Sequence, residues 1–230
     1  MDVSASVEAG GLVLAQGQSL SGSYLLTRPA LVKRLGDNDR QRVLAHFMAL
    51  PEGDRVSRFG MVLSDQMLDA YVSQIDFSRD AVHGVYHRSF QLLGVCHLVR
   101  TPLIGPGQAR SAELGISVLA SARGTGVATR LFQRAVLHCR NANLDTLVMR
   151  CLATNQAMMH IAKKCGMETH RERAEVDACL KLWPANVATR MLEQAEDQKA
   201  SLDTIHKANS FTARPLVVYR VVPNFTAIAV

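Results

Sequence analysis

The 230-residue sequence predicts a mixed α/β fold, and three observations lead to this prediction. Short β-branched or alternating runs, typical of strands, are interspersed with segments in which apolar residues recur every three or four positions, as in amphipathic helices. In the middle of the chain, a strand-like run over residues 114–119 precedes a turn with two glycines and a helical pattern from Val127. Apolar residues make up 48% of the chain and charged residues 20%, which is the composition of an ordinary globular domain.

The first half of the chain is predicted to place two helices between strands. The predicted elements are a strand at 24–26, a helix capped at 37–39 and ending at 48, a turn at 51–54, a helix capped at 64–65 and ending near 75, and two strands at 81–86 and 91–99. A hairpin is the simplest connection between the last two strands.

The second half alternates strands and helices. It is predicted to contain the strand at 114–119, the helix from 127, a strand at 145–151, a short helix at 155–164 that Gly166 terminates, and a strand at 176–182. After Trp183 and Pro184 an amphipathic helix follows, with its face formed by Val187, Met191, Ala195, Gln198, Leu202 and Ile205. The apolar run at 216–222 is predicted to add a strand. So much apolar surface is expected to pack on the domain or on a second subunit.

The turn between the central strand and its helix has the character of a phosphate-binding loop. Gly124 and Gly126 allow positive φ angles and a close approach to a ligand, and the first amides of a helix have no internal acceptor. The helix dipole favours negative charge there, and Arg123 adds a planar donor for phosphate oxygens. A Walker A loop is disfavoured because the Lys and Ser/Thr are missing, and a Rossmann fingerprint because Thr129 replaces the third small residue.

The order Arg123-x-x-Gly126-x-Ala128 after a strand resembles the Q/R-x-x-G-x-G/A pattern of the GNAT N-acetyltransferase superfamily, whose loop binds the pyrophosphate of acetyl-coenzyme A. A second match is Asn155-x-x-Met158-x-x-Ile161-x-Lys163-Lys164-Cys165-Gly166-Met167. It is similar to the family segment after the fifth strand. The resemblance implies a GNAT-like central mixed sheet of six to seven strands flanked by helices. The segment from Arg28 to Asp65 resembles the branch that contains bacterial protein-lysine acetyltransferases.

The predicted domains are accordingly a flexible arm at 1–22, an acetyltransferase domain at 23–183 and a helix-strand extension at 184–230. In the family, the fourth strand separates from the fifth and its free backbone groups pair with the pantetheine arm. The resemblance therefore implies these cofactor-binding residues: Ser117, Val118, Leu119, Arg123, Gly124, Thr125, Gly126, Val127, Ala128, Thr129 and Asn155. The amide of Val118 or Leu119 would be the oxyanion donor. Asn155 has an alternative role as a plain helix cap.

Glu113 is the predicted general base, because the strand that bears it resembles the strand with a catalytic Glu in the lysine-acetyltransferase branch. Partial burial would raise its pKa toward working pH; the alternative is an exposed strand-edge Glu. Where many family members have a Tyr general acid, this chain has Ala162. His160 is a poor substitute because two residues along a helix point to different faces, so water is left to protonate the thiolate. Arg58 and its neighbour Phe59 either line an acceptor or cofactor site or simply pack.

These features predict an acetyl-CoA-dependent N-acetyltransferase that acts on a primary amine by direct transfer. No Cys near the loop suggests a covalent intermediate. The acceptor stays open among protein lysines, peptide N-termini, polyamines and small amines. The absent Tyr leaves an alternative, a catalytically weak CoA-binding regulatory or interaction module. A nucleic-acid binder is disfavoured because the net charge of +6 is scattered and aromatic residues make up only 5%.

Cysteine usage and hydropathy suggest a cytoplasmic protein. Five cysteines, an odd number without a C-x-x-C pair, are expected to be reduced, and no metal site is expected. We expect neither a secretory signal nor a membrane span. The apolar extension makes a homodimer possible.

Overall fold

The computed structural model describes residues 30–102 and 108–212. The strands are β1 (Val32–Leu35), β2 (Ala81–Tyr86), β3 (Leu92–Arg100), β4 (Ser111–Val118), β5 (Thr146–Leu152), β6 (Glu168–Glu172) and β7 (Glu175–Lys181). The helices are α1 (Arg40–Met48), α2 (Glu52–Phe59), α3 (Asp65–Ser73), α4 (Val127–Asn141), α5 (Gln156–Lys164) and α6 (Val187–Thr212). The predicted mixed α/β architecture, with a sheet of six to seven strands, is confirmed.

The seven strands form one mixed sheet in the order β1-β2-β3-β4-β5-β7-β6. Every neighbouring pair is antiparallel except β4 and β5, which run parallel. Their pairing covers only three residue pairs, from Ser111 opposite Thr146 to Glu113 opposite Val148. Both strands continue beyond this point without pairing to each other, so the sheet opens along its middle.

Helices cover both faces of the sheet. On one face, α1 and α3 bury Val43, Phe47 and Leu68 against alternate residues of β2 and β3. On the other face, α4 and α5 bury Leu131, Phe132 and Ile161 against Leu114, Ile116, Leu147 and Met149. Because alternate residues of a strand point to opposite faces, Glu113, Gly115 and Ser117 of β4 face the side of α1 and α3.

The C-terminal helix α6 packs on the domain through its charged face. Arg134 of α4 is only 2% exposed, and its guanidinium donates to Glu193 at 2.8 Å and to Asp197 at 2.6 Å. Burial alone would raise the pKa of Glu193, but hydrogen bonds from His138 and Asn141 and the charge of Arg134 lower it to about 2. The docking of α6 is therefore electrostatic.

The apolar face of α6 points away from the domain. Val187, Met191, Leu202 and Ile205 are all exposed, and Ala195 between them is half-buried. We call Val187, Met191, Ala195, Gln198, Leu202 and Ile205 the apolar stripe of α6. The helix itself confirms the sequence-based prediction. The predicted packing of the apolar extension, on the domain or on a second subunit, concerns the run at 216–222, which lies outside the described residues. Within α6, the acidic face contacts the domain.

Most predicted elements agree with the structure within a few residues, including both caps. Ser64 accepts a hydrogen bond from the amide of Met67, and Gly166 has the left-handed φ of +70° that ends a helix. Three elements were not predicted, namely β1, α2 and β6. The predicted strands at 24–26 and 216–222 and the arm at 1–22 lie outside the described residues.

Candidate active site

The gap between β4 and β5 is the centre of the site. Backbone amides point to alternate sides of a strand, and the amide of Leu119 donates to the carbonyl of Leu93 on β3 at 2.8 Å. The amides of Ile116 and Val118 therefore point the other way, into the gap. Of the two predicted oxyanion donors, the prediction of Leu119 is wrong, because its amide already donates to β3. Val118 keeps the predicted orientation.

The predicted phosphate loop closes one end of the gap. Gly124 and Gly126 have φ angles of +73° and +83°, and a methyl group built on either meets open space. Gly126 caps α4, and the first turn of that helix, from Val127 to Thr129, contains no acidic residue. The hydroxyl of Thr125 donates to the carbonyl of Ala122 at 2.6 Å and so holds the loop in shape. Free helix amides without a competing carboxylate suit an anion, so these residues fit the diphosphate of a coenzyme.

Arg123 lies at the rim of this loop. Its side chain is exposed and forms an ion pair with Asp54 of α2. The guanidinium is therefore within reach of solvent and of the loop, and its present partner is a half-buried carboxylate near the surface. Exposed pairs of this kind contribute about 0–1 kcal/mol, so a diphosphate can compete with Asp54 for Arg123.

Ser117 is buried on the face of α1. Its hydroxyl lies 2.8 Å from Nε2 of His46, and Nδ1 of the same ring lies 2.9 Å from the carbonyl of Leu92. A carbonyl can only accept, so Nδ1 carries the proton and Nε2 accepts from Ser117. Burial lowers the pKa of His46 to about 4, helped by the charge of Arg58 and opposed by the bond to Leu92. His46 was not found from sequence, because its α1 pattern reads as ordinary core.

Asn155 links two helices. Its side-chain oxygen accepts from the amide of Met158 at 3.2 Å, which is the alternative cap role. Its side-chain nitrogen donates to the carbonyl of Ser57 on α2 at 3.2 Å. The amide group thus ties α5 to α2 across the gap, and contact with a coenzyme stays a prediction.

A cavity of ≈ 420 Å³ opens beside the gap. Its lining combines α2 and α3 with β3, the middle of β4 and the end of β5. Its ionisable side chains are Arg58, Tyr71, His97, Glu113, Arg150, Cys151 and Glu175. Glu113 sits where β4 and β5 part. It is exposed, so the expected partial burial is wrong and the alternative of an exposed strand-edge Glu describes it. The carboxylate nevertheless faces the cavity.

Arg58 reaches into this cavity from α2. Its guanidinium lies on Gly115 of β4, where a methyl group would overlap it. It also stands over the rings of Phe59 and Phe47, at 4.8 Å and 5.9 Å from their centroids. The aromatic rings and the space above Gly115 thus form a packing site that suits the planar, cationic guanidinium of Arg58.

A chain of hydrogen bonds fixes Arg58 on its other side. Nη2 of Arg58 donates to the hydroxyl of Tyr71 at 3.2 Å, and that hydroxyl lies 2.7 Å from Nδ1 of His97. Nε2 of His97 lies 2.9 Å from the carboxylate of Asp80 and therefore carries the ring proton. Tyr71 accordingly donates to His97. Burial lowers the pKa of His97 despite the bond to Asp80, which keeps the ring neutral near pH 7.

Ala162 and His160, the two positions considered for a general acid, both lie outside the cavity lining. Ala162 is fully buried, and His160 is exposed on another side of α5. In the described ranges, no three His, Cys, Asp or Glu side chains are grouped as a metal site, and no helix is long and apolar enough to cross a membrane.

The divided sheet, the glycine loop at a helix start and the cavity beside Glu113 together define a protein of the acetyltransferase class. A family model described as "Acetyltransferase (GNAT) domain" matches residues 31–168, which is more than half of the chain. The chain belongs to the GNAT acetyltransferase family. The predictions of the family, of an acyl-transferring enzyme and of the fold are confirmed at this level.

Solved structures with the same fold include the GNAT domain of PAT from S. lividans. It is 19% identical, with a TM-score of 0.56 over 66% of this chain and 89% of that one. Spermidine N-acetyltransferase from Vibrio cholerae, in complex with CoA and spermine, is 18% identical, with a TM-score of 0.53 over 66% and 95%. Ribosomal-protein-alanine N-acetyltransferase from Brucella melitensis is 16% identical, with a TM-score of 0.52 over 66% and 99%. No curated protein sequence shows a significant match.

Proposed function

We propose that this acetyltransferase moves the acetyl group of acetyl-CoA to a primary amine by direct transfer, with Glu113 as the general base. The observation that carries the proposal is the position of Glu113 at the point where β4 and β5 separate, facing the cavity. An amine in the cavity and a thioester in the gap would meet beside this carboxylate. Holding the two reactants in one orientation supplies much of the rate enhancement in such a reaction.

Each of the chain's groups has a defined task in this proposal. The loop from Arg123 to Thr129 binds the diphosphate, and the backbone of Ser117 and Val118 lies along the pantetheine arm. Acetyl-CoA supplies the activated acetyl group. Glu113 accepts a proton from the acceptor ammonium, which frees its lone pair for attack. The amide of Val118 stabilises the oxyanion by donating to it.

The proton balance needs no residue in the place of Ala162. The attacking nitrogen still carries an excess proton after the attack, and the departing thiolate takes up one proton. Water between them can carry it, since a thiolate is a stable leaving group. The hydroxyl of Tyr71 already donates to Nδ1 of His97, and Nε2 of His97 already donates to Asp80, so neither group is assigned this proton.

Two measurements test the proposal. Thermal unfolding with and without acetyl-CoA measures binding, which should raise Tm as ligand exceeds its Kd. Release of free thiol with a panel of primary amines then measures turnover. Acetyl-CoA binding without turnover on any amine would favour the alternative, a CoA-binding regulatory module. A chain that does not bind acetyl-CoA would contradict both.

We also propose that the protein is a homodimer in the cytoplasm. Most of the apolar stripe of α6 is exposed, and its residues lie nearly symmetrically about Glu196 and Asp197, with only the outermost pair off by one residue. Two antiparallel copies would therefore set Val187 against Ile205 and Met191 against Leu202, which suits a two-fold axis. All five cysteines are free, which supports a reducing compartment.

A further inference from the structure

The charges in the cavity are unevenly matched. Arg150 lines the cavity but already pairs with Asp177 at 2.9 Å. Arg58 has no such partner: among the described residues, no carboxylate oxygen lies within 4.0 Å of its guanidinium, and its only side-chain hydrogen bond is to the neutral hydroxyl of Tyr71. Nε of Arg58 is buried and bonds to nothing in the described part of the chain.

A half-buried cation without a counter-charge raises the free energy of the folded protein, and its charge lowers the pKa of nearby histidines. The pKa of His97 is lowered first by burial and then by the charge of Arg58, and the same two causes act on His46. Burying a charge is unfavourable unless it is paired, so an unpaired cation facing a cavity is a position at which a ligand anion gains free energy.

The surroundings of Arg58 hold it ready for such an anion. Gly115 leaves room for the guanidinium, Phe59 and Phe47 support its planes, and the chain from Tyr71 through His97 to Asp80 fixes its orientation. A planar guanidinium fixed in this way matches a carboxylate with two parallel hydrogen bonds. Each of these groups is therefore a positioning residue for Arg58.

The opposite charge lies close by on the same strand face. Glu113 is two residues before Gly115, and residues two apart on a strand are separated by about 6.5 Å. Glu175 lines the same cavity. One end of the cavity thus suits an ammonium group and the other suits an anion. The ≈ 420 Å³ volume is in the range of small-molecule pockets.

We propose that the acceptor is a small zwitterion, a primary amine that also carries a carboxylate, with the carboxylate bound by Arg58 and the amine held at Glu113. This inference rests on the proposed function and names the substrate class of that site. No bond is made or broken at Arg58. It orients the acceptor so that the amine faces the thioester.

Matched pairs of acceptors test this inference. The probes are the L-amino acids and the corresponding L-amino acid amides, which have nearly the same shape but lack the negative charge. The α-amine of an amino acid amide is less basic than that of the amino acid, so a larger fraction of it is unprotonated and able to attack near neutral pH. With the wild-type enzyme we expect at least one acid to exceed its amide in kcat/KM by about tenfold or more.

The variants separate the role of Arg58 from general damage. Arg58→Met keeps the aliphatic chain over the phenylalanine rings but removes the charge, and should bring the ratio of acid to amide close to one. Arg150→Met removes another guanidinium from the same cavity and should leave the ratio near the wild-type value. Acetyl-CoA binding, measured by thermal shift, should survive in both variants.

Several outcomes would overturn the inference. If amides or simple alkylamines are acetylated with a kcat/KM equal to that of every acid, the inference is wrong, while the proposed acetyltransferase activity stands. A ratio unchanged in Arg58→Met would overturn the inference as well, and so would loss of acetyl-CoA binding in that variant, which would assign Arg58 to the coenzyme. If no amine is acetylated, the proposed function fails; titration of the CoA complex with the acids then decides, because acids that do not bind overturn this inference too.

Discussion

The guanidinium of Arg58 lies directly on Gly115 of β4, where any side chain would exclude it. The two residues are 57 positions apart in sequence. Their contact joins α2 to the middle of the sheet, and it sets the electrostatic character of the cavity next to Glu113.

Gly115→Ala should remove Arg58 from its site without unfolding the protein. The added methyl group overlaps only the end of a flexible side chain, so the backbone need not move. We expect a Tm within a few degrees of wild type, unchanged binding of acetyl-CoA, and a kcat/KM for acceptor lowered about tenfold by the displaced cation. Gly53→Ala, where the methyl group meets open space, is the control. Wild-type kinetics in Gly115→Ala would show that Arg58 has no part in acceptor binding.

Glu113→Gln should lower turnover by about 100-fold or more while acetyl-CoA still binds, because a carboxamide cannot accept the proton of the ammonium group. Steady-state thiol release measures the first effect and thermal shift the second. Glu175→Gln removes another carboxylate that lines the same cavity and should be much less affected. Equal losses in the two variants would mean that the cavity needs negative charge but no specific base.

Gly126→Ala should weaken acetyl-CoA binding by about tenfold or more. Its φ of +83° strains any L side chain by about 1–2 kcal/mol, and although the methyl group itself meets open space, relief of this strain would shift the amides that start α4. Gly166→Ala is a matched control with a similar φ of +70°, placed at the end of α5. Both variants should lose a few degrees of Tm, but only Gly126→Ala should lose affinity. Equal affinities, measured by calorimetry, would remove the loop from the coenzyme site.

His46 should make the free energy of unfolding depend on pH between about 6.5 and 4. Burial lowers the pKa of His46 to about 4 in the folded state, whereas the unfolded chain has a normal value near 6.5. The unfolded state therefore binds a proton first, and stability present above pH 6.5 is lost as pH falls toward 4. The loss is about 3 kcal/mol from this group alone.

Urea unfolding at several pH values measures this dependence. His46→Gln should be less stable at pH 7 and should lose less stability on acidification. The exposed His160, replaced by Gln, is the control. If acid destabilised His46→Gln as steeply as wild type, other groups, such as the fully buried His83, would account for the slope.

Charges on the apolar stripe of α6 should separate the proposed dimer. Leu202→Glu would place a carboxylate opposite Met191 within the pairing surface, so sedimentation velocity should show a monomer with unchanged secondary structure. Lys199→Glu changes an exposed residue beside the stripe and should leave the dimer intact. A wild-type protein that is monomeric at micromolar concentration would contradict the proposed dimer.

Local signals in the sequence were sufficient for most of the fold. The caps at Asp39 and Ser64, the left-handed Gly166 and the loop around Gly126 depend on nearby residues, and each was predicted. The missed α2 buries none of its residues, and its start, with Pro51 before Glu52, reads equally well as a turn. Its only large apolar residues are Val56 and Phe59, so the segment offers little periodicity to detect.

The parts of the site that sequence could not supply depend on distant contacts. The stripe of α6 was identified correctly, but the charge of Arg134 that draws its acidic face inward comes from another helix. The environment of Arg58 likewise comes from α1, α3 and two strands. The sequence placed Glu113 correctly on β4, but the exposure of its side chain depends on the point at which β5 stops pairing with β4.

The parting of β4 and β5 leaves an unpaired strand edge inside the molecule instead of at its rim. Open edges ordinarily invite pairing with other chains, and proteins cover or interrupt them. Here α2 and α5, fastened to each other by the Asn155–Ser57 hydrogen bond, stand on either side of the opening. The free backbone donors are therefore accessible to a narrow, extended ligand but not to the strand of a neighbouring polypeptide. The feature that forms the site thus also protects the protein from aggregation.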